Sequence, residues 1–122
     1  MNENLRTDVP VMLTVEGHYE PTPFYLTADM FGGTPVQIAA GELSGLVGKP
    51  VADPHTHPVD EVYLFLSPNP GGCTVEILLG DKTYTVESPA VFHIPAGVRH
   101  RFVTLSAELG SYCLGVLMGS ST

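Results

Sequence analysis

The stretch DPHTHPVDEVY, from Asp53 to Tyr63, holds two of the chain's five histidines, the Asp60 and Glu61 acid pair and a tyrosine. His55 and His57 are two residues apart, so on an extended backbone both imidazoles leave the same face and can reach one ion. Pro58 keeps His57 out of the helical region, and Pro54 restricts the approach to His55 in a similar way. Glu61 follows His57 by four positions, and a short turn at PVD brings its carboxylate back toward the pair while Asp60 faces away. Two imidazoles and one carboxylate with open positions opposite suit divalent iron, manganese, nickel, copper or zinc. A fourth ligand must come from elsewhere, and the candidate is His100 in IPAGVRH, where Pro95 and Gly97 build a turn that delivers a histidine at the start of the next strand.

The elements that must position these groups are strands. Thirteen Gly and 11 Pro punctuate short runs rich in Val, Leu, Ile, Tyr and Phe, and no segment keeps helical spacing without an interruption. The predicted strands are PVQIAAGEL, DEVYLFLS, CTVEILLG, KTYTVES, AVFHIP, HRFVTLS and SYCLGVLM, which implies a β-sandwich or small barrel. LLGDKTY reads as a tight hairpin around Gly80 and Asp81, although Gly usually stands second in such turns. Residues 1–35, with prolines and aromatics in HYEPTPFYLTADMFGGT, read as an extended N-terminal arm against a single barrel domain over 36–122.

Alternation puts Glu61, Tyr63 and Phe65 on one face of their strand and Val62, Leu64 and Leu66 on the other. Both faces are largely apolar, so one lines the interior and the other needs a cover, either the N-terminal arm or a second subunit, and a homodimer with an exchanged or shared strand is the preferred explanation. The same parity sends Arg101 outside and Phe102 inside, giving a cavity with aromatic walls that include Phe65 and Phe102.

Five Lys plus Arg against thirteen Asp plus Glu give a net charge of -8, which repels nucleic acid and anionic membrane surfaces. The scarcity of cations also argues against polyanionic substrates and for a small, mostly apolar or weakly anionic molecule. Cys73 and Cys113 are far apart in sequence, the N-terminus lacks the pattern of a signal peptide, and no apolar run is long enough to cross a bilayer. A cytoplasmic protein with free thiols is expected.

His55, Thr56 and His57, then three residues, then Glu61 resemble the first cupin motif, and PAGVRH resembles the second. The resemblance covers roughly residues 36–118. It implies an all-β cupin barrel, a double-stranded β-helix or jelly roll, with His55, His57, Glu61 and His100 as metal ligands. Turn positions depart from the pattern: Lys49, Pro68 and Pro89 stand where the family has glycine, and Thr104 where it has asparagine. The four ligand positions do not depart. The resemblance to metal lyases of the family also implies a catalytic role for Tyr63, which competes with the reading of a core tyrosine. His93 is a candidate base or substrate contact if it faces the cavity, and a surface histidine otherwise. His18, in the arm, ranks below it.

The fold hosts many reactions, so function rests on the site. Three histidines and a glutamate on iron, with room for substrate and dioxygen, imply a dioxygenase acting on a small oxygenated molecule. The alternatives are a lyase, isomerase or cyclase with the metal as Lewis acid and Tyr63 or His93 as base, and a non-catalytic metal-binding or ligand-binding module.

Overall fold

The computed structural model describes residues 8–15 and 17–120. Nine strands run in the order β1 (Val11–Leu13), β2 (Thr22–Leu26), β3 (Gln37–Glu42), β4 (Glu61–Leu66), β5 (Cys73–Leu79), β6 (Lys82–Glu87), β7 (Ala90–Ile94), β8 (His100–Ala107) and β9 (Tyr112–Leu117). All seven strands expected from the apolar runs are present, six within the run that marked them and β8 extending one residue beyond its run, to Ala107. Two short 3-10 turns, Met30–Gly32 and Ser44–Leu46, are the helical segments of the described residues. None is long and apolar enough to cross a membrane.

The strands form a six-stranded sheet, β1-β2-β3-β9-β4-β7, and a three-stranded sheet, β6-β5-β8. Neighbours are antiparallel throughout. From β4 onward the chain passes back and forth between the sheets, so the site inherits pieces of both. The β5–β6 hairpin closes through Gly80 and Asp81, with Leu79 opposite Lys82. Gly80 has φ 64 and Asp81 does not share that sign, the pattern of a II′ turn, in which Gly takes the first position.

Residues 11–13 and 22–26 hydrogen-bond as two further strands onto the edge of the larger sheet through β3. Phe24 is buried there against Val15 and Leu117.

The core lies between the sheets, with Leu43, Tyr63, Phe65, Cys73, Val75, Ile77, Ile94 and Cys113 in one cluster. The alternation on β4 holds: Glu61, Tyr63 and Phe65 are buried while Leu66 is exposed. Both cysteines are free and buried. On β6 only Val86 is partly withdrawn from solvent, and Lys82 and Tyr84 stand exposed, as suits an edge strand.

The connection from β3 to β4 protects the opposite edge of the small sheet. Val47 bridges Thr104 of β8 in parallel, and His55 bridges His100 in antiparallel. Gly17 to Tyr19 then pair onto this connection through Asp53 N to Gly17 O at 2.9 Å and Tyr19 N to Val51 O at 3.1 Å.

Ile77 has no exposed surface, and truncation to Ala is expected to cost about 2–5 kcal/mol of folding stability. Tyr84→Ala, on the exposed edge, is expected to cost well under half of that. Urea unfolding of the two variants checks the assignment, and equal losses would contradict the position of the core.

Candidate metal centre

Backbone geometry assembles the histidines before side-chain chemistry enters. His55 N donates to His100 O at 3.0 Å and His100 N donates to His55 O at 2.9 Å, a reciprocal pair that puts both side chains on one side of the ladder. The Pro95–Val98 turn sets the start of β8, with Val98 N donating to Pro95 O at 3.2 Å. Gly97 within it has φ 78, a conformation that suits glycine, and its N–H donates to His57 O at 2.9 Å. One turn thus ties His57 to His100.

The ring centroids lie 4.8 Å apart for His55 and His57, 4.6 Å for His55 and His100, and 5.1 Å for His57 and His100. One ligand atom from each of the three lies within 4.8 Å of the others, close enough to hold a single metal ion. His57 and His100 are buried and His55 is half-buried. Glu61, at the start of β4, places Oε1 3.0 Å from His100 Nε2 and 3.5 Å from His57 Nε2. It stands beside the trio and contacts two of its members. Gly115 of β9 leaves the space that this requires, since a Cβ there would come within 3.0 Å of Glu61 Oε2.

The hydrogen bonds fit a cation. His55 Nδ1 lies 2.7 Å from Asp53 O and His100 Nδ1 lies 2.8 Å from Val98 O. A carbonyl only accepts, so each Nδ1 carries the proton and each Nε2 is left as a donor of electrons. His55 Nε2 is buried with no hydrogen-bond partner. On His100, with Nδ1 committed, the 3.0 Å approach of Nε2 to the Glu61 carboxyl calls for a proton between them or a metal ion shared by both. Burial, the largest cause, pushes the His55 pKa down to about 4, and the neighbouring histidines push the same way. His55 is therefore neutral at pH 7, the form that ligates a metal.

Two of the trio, His55 and His57, line a cavity of about 460 Å³ whose lining also includes Glu61, Tyr63 and Phe102. Leu43, Leu46 and Val51 add apolar wall. Tyr63 is 5% exposed, with its ring 5.9 Å from His100 and 5.3 Å from Phe102. Phe65 is not a wall as expected; it lies fully buried behind Tyr63 and Phe102.

Two further expectations are corrected. His93 does not face the cavity. It sits opposite Val62 on the outer face, exposed, with Nε2 3.0 Å from Asp60 Oδ2. Its neighbour Ile94 is the buried residue of β7, so alternation turns His93 outward. Arg101 does not stay outside: it is half-buried and lines the cavity. Sequence reasoning also ranked His18 too low. Its ring lies 4.8 Å from that of His55, and it lines the cavity. Gly17 permits this approach, since a Cβ there would meet His55 Cβ at 3.0 Å. The glycine before His18 was the one available signal, and no spacing linked it to His55.

No protein-family model and no curated protein matches the sequence. Solved structures do. A cupin superfamily protein from Desulfitobacterium hafniense is 18% identical, with 95% of each chain covered and a TM-score of 0.57. KdgF from Halomonas sp. is 13% identical over 81% of this chain and 79% of that one, with a TM-score of 0.59. AerE from Microcystis aeruginosa is 14% identical over 89% of this chain, with a TM-score of 0.63; the chain spans 45% of that protein's length. At these identities the likeness is one of fold. The chain is a small all-β domain with the cupin fold, and its three clustered histidines form a candidate site for a divalent metal.

Replacing His57 or Glu61 with Ala is expected to lower bound metal to a small fraction of an equivalent while the far-ultraviolet circular dichroism stays that of the wild type. Elemental analysis of the purified variants measures this, and full metal occupancy in either would remove that residue from the site.

Proposed function

We propose that this protein is a metal-dependent cupin enzyme acting on a small oxygenated organic molecule, and that it is a dioxygenase. The observation that carries the reading is the convergence of three histidine nitrogens within 4.8 Å, with His55 and His57 lining a largely apolar cavity and His55 Nε2 buried and unpartnered. His55, His57, Glu61 and His100 hold the metal, with iron first and zinc, manganese, nickel or copper as alternatives. Such a metal supplies Lewis acidity and, as iron, electrons for dioxygen chemistry.

The chain's own groups have defined tasks. The carbonyls of Asp53 and Val98 hold two imidazoles in the tautomer that presents Nε2. Glu61 brings a negative charge that offsets part of the ion's. The apolar walls keep water from the reacting atoms and strengthen each electrostatic contact within. Tyr63 keeps its proton, because burial first and the charge of Glu61 second raise its pKa well above the ordinary tyrosine value.

That last feature favours a second reading. A neutral phenol in the cavity wall beside His100 suits a proton donor in a non-redox lyase, isomerase or cyclase. His93, on the outer face, takes no part. Protein purified under nitrogen and assayed against small diketones, phenols and hydroxy acids is expected to contain iron and to consume oxygen with its substrate. Turnover without oxygen selects the second reading instead. There, Tyr63→Phe is expected to slow the reaction about 100-fold or more.

We also infer a homodimer formed through the outer face of the larger sheet. Val91, Leu64 and Leu114 are in register across β7, β4 and β9, and Leu66 lies opposite Tyr112. Val91 is 69% exposed, and Leu66 and Tyr112 are both 43% exposed. A second copy offers the same apolar face around a two-fold axis. Sedimentation equilibrium is expected to give twice the chain mass for the wild type and the chain mass for Val91→Lys. A monomeric wild type would rule the interface out.

A further inference from the structure

Cations are scarce in this chain, and their placement is uneven. Among the described residues, two of the four Lys and Arg line the cavity: Lys49 and Arg101. Of the eleven described acids, two do so, Glu20 and Glu61, and Glu61 is engaged by His57 and His100. A molecule of net charge -8 has therefore gathered into this cavity a far larger share of its positive groups than of its negative ones.

Arg101 is half-buried, and among the described residues no carboxylate lies within 4.0 Å of its guanidinium or of the Lys49 ammonium. Its charge reaches the Tyr19 phenol. Donation to Asp53 Oδ1 at 2.6 Å is the main cause that raises the pKa of this hydroxyl, and Arg101 opposes it. Tyr19 is exposed and also lines the cavity. The guanidinium thus lies toward the mouth, with apolar wall from Leu46, Pro50, Val51 and Phe102 in the same lining as the histidines.

A partly desolvated arginine without an acid partner is a site for a planar anion, since its fork of N–H groups matches a carboxylate in bidentate fashion. A phosphate would ordinarily draw on more cations than this cavity offers. We propose that Arg101, assisted by Lys49 at the rim, receives a carboxylate of the substrate, whose oxygenated end reaches the histidine cluster across the apolar wall. The substrate class is a small carboxylic acid bearing its reacting oxygens away from the carboxylate. This specificity role rests on the metal-centred reading of the cavity given above.

The test uses zinc-loaded protein and the monohydroxamates of succinic, adipic and suberic acids, each compared with its methyl ester by calorimetry. The hydroxamate anchors any divalent metal, and only the acid carries the distal anion. At the length that binds most tightly, the acid is expected to exceed the ester about 10-fold or more in the wild type. Raised salt should reduce that preference. In Arg101→Gln the preference is expected to fall below about 3-fold with the ester's affinity unchanged, and Lys49→Gln should lose part of it. Equal binding of acid and ester by the wild type at all three lengths overturns the proposal and leaves the metal reading standing. Esters that bind zinc-free protein as well as zinc-loaded protein count against the metal reading instead. The wild-type comparison needs no variant to fold.

Discussion

Two backbone hydrogen bonds, between the N–H and C=O groups of His55 and His100, set the register on which the site depends. Their direct worth is small, about 0.5–1.5 kcal/mol each. Their consequence is geometric. Side chains alternate with a period of two, so a slip of one residue along β8 would put Arg101 in the place of His100 and turn the histidine away. Register is enforced around the pair by β5, where Leu79 lies opposite His100, and by Val47 against Thr104 farther along β8. The Gly97 turn adds His57 to the same frame.

Once the rings are gathered, electrostatics restricts what they can be. His100 has 1% of its surface exposed, its Nδ1 is committed to a carbonyl, and its Nε2 faces a carboxylate. His55 is neutral at pH 7 and ends in a buried, unpartnered nitrogen. Groups so placed repel one another unless a positive species stands among them, and unsatisfied buried polar atoms are uncommon enough in folded proteins to need a cause. A divalent ion satisfies the three nitrogens and the carboxylate at once. It also gives a reason for polar groups to gather in the lining of a cavity with this much apolar wall.

The strands were legible because short runs rich in Val, Leu, Ile, Tyr and Phe are separated by Gly and Pro, and because β4 and β5 alternate in burial. The candidate site was legible because His55, His57 and His100, which the fold gathers, and Glu61 beside them fall into two linked patterns whose spacing reflects real backbone constraints. Alternation also held the answer for His93: with Ile94 buried opposite Glu61, the preceding residue must point outward. Arg101 was misread for a different reason. Parity describes where Cβ points, and the end of a long side chain need not stay on the side to which its Cβ points. His18 was beyond any local rule, since its approach to His55 depends on a pairing of residues 17–19 with 51–53.

Strand β4 carries the two halves of the molecule's chemistry on opposite faces. Glu61 and Tyr63 look into the cavity, while Val62, Leu64 and Leu66 look out onto an apolar surface. Such a strand is poorly served by water on its outer side, where exposed hydrocarbon gains nothing and leaves backbone hydrogen bonds accessible to solvent. Covering that face excludes water from β7, β4 and β9 together, the three strands that hold Ile94, Glu61 and Gly115 in register. The Glu61 carboxylate occupies space that a Cβ at position 115 would crowd to 3.0 Å, so the register of β4 against β9 that the outer face shares also decides where that carboxylate can stand. The dimer and the metal site proposed above would then answer one requirement, that a strand apolar on both sides be dry on both sides.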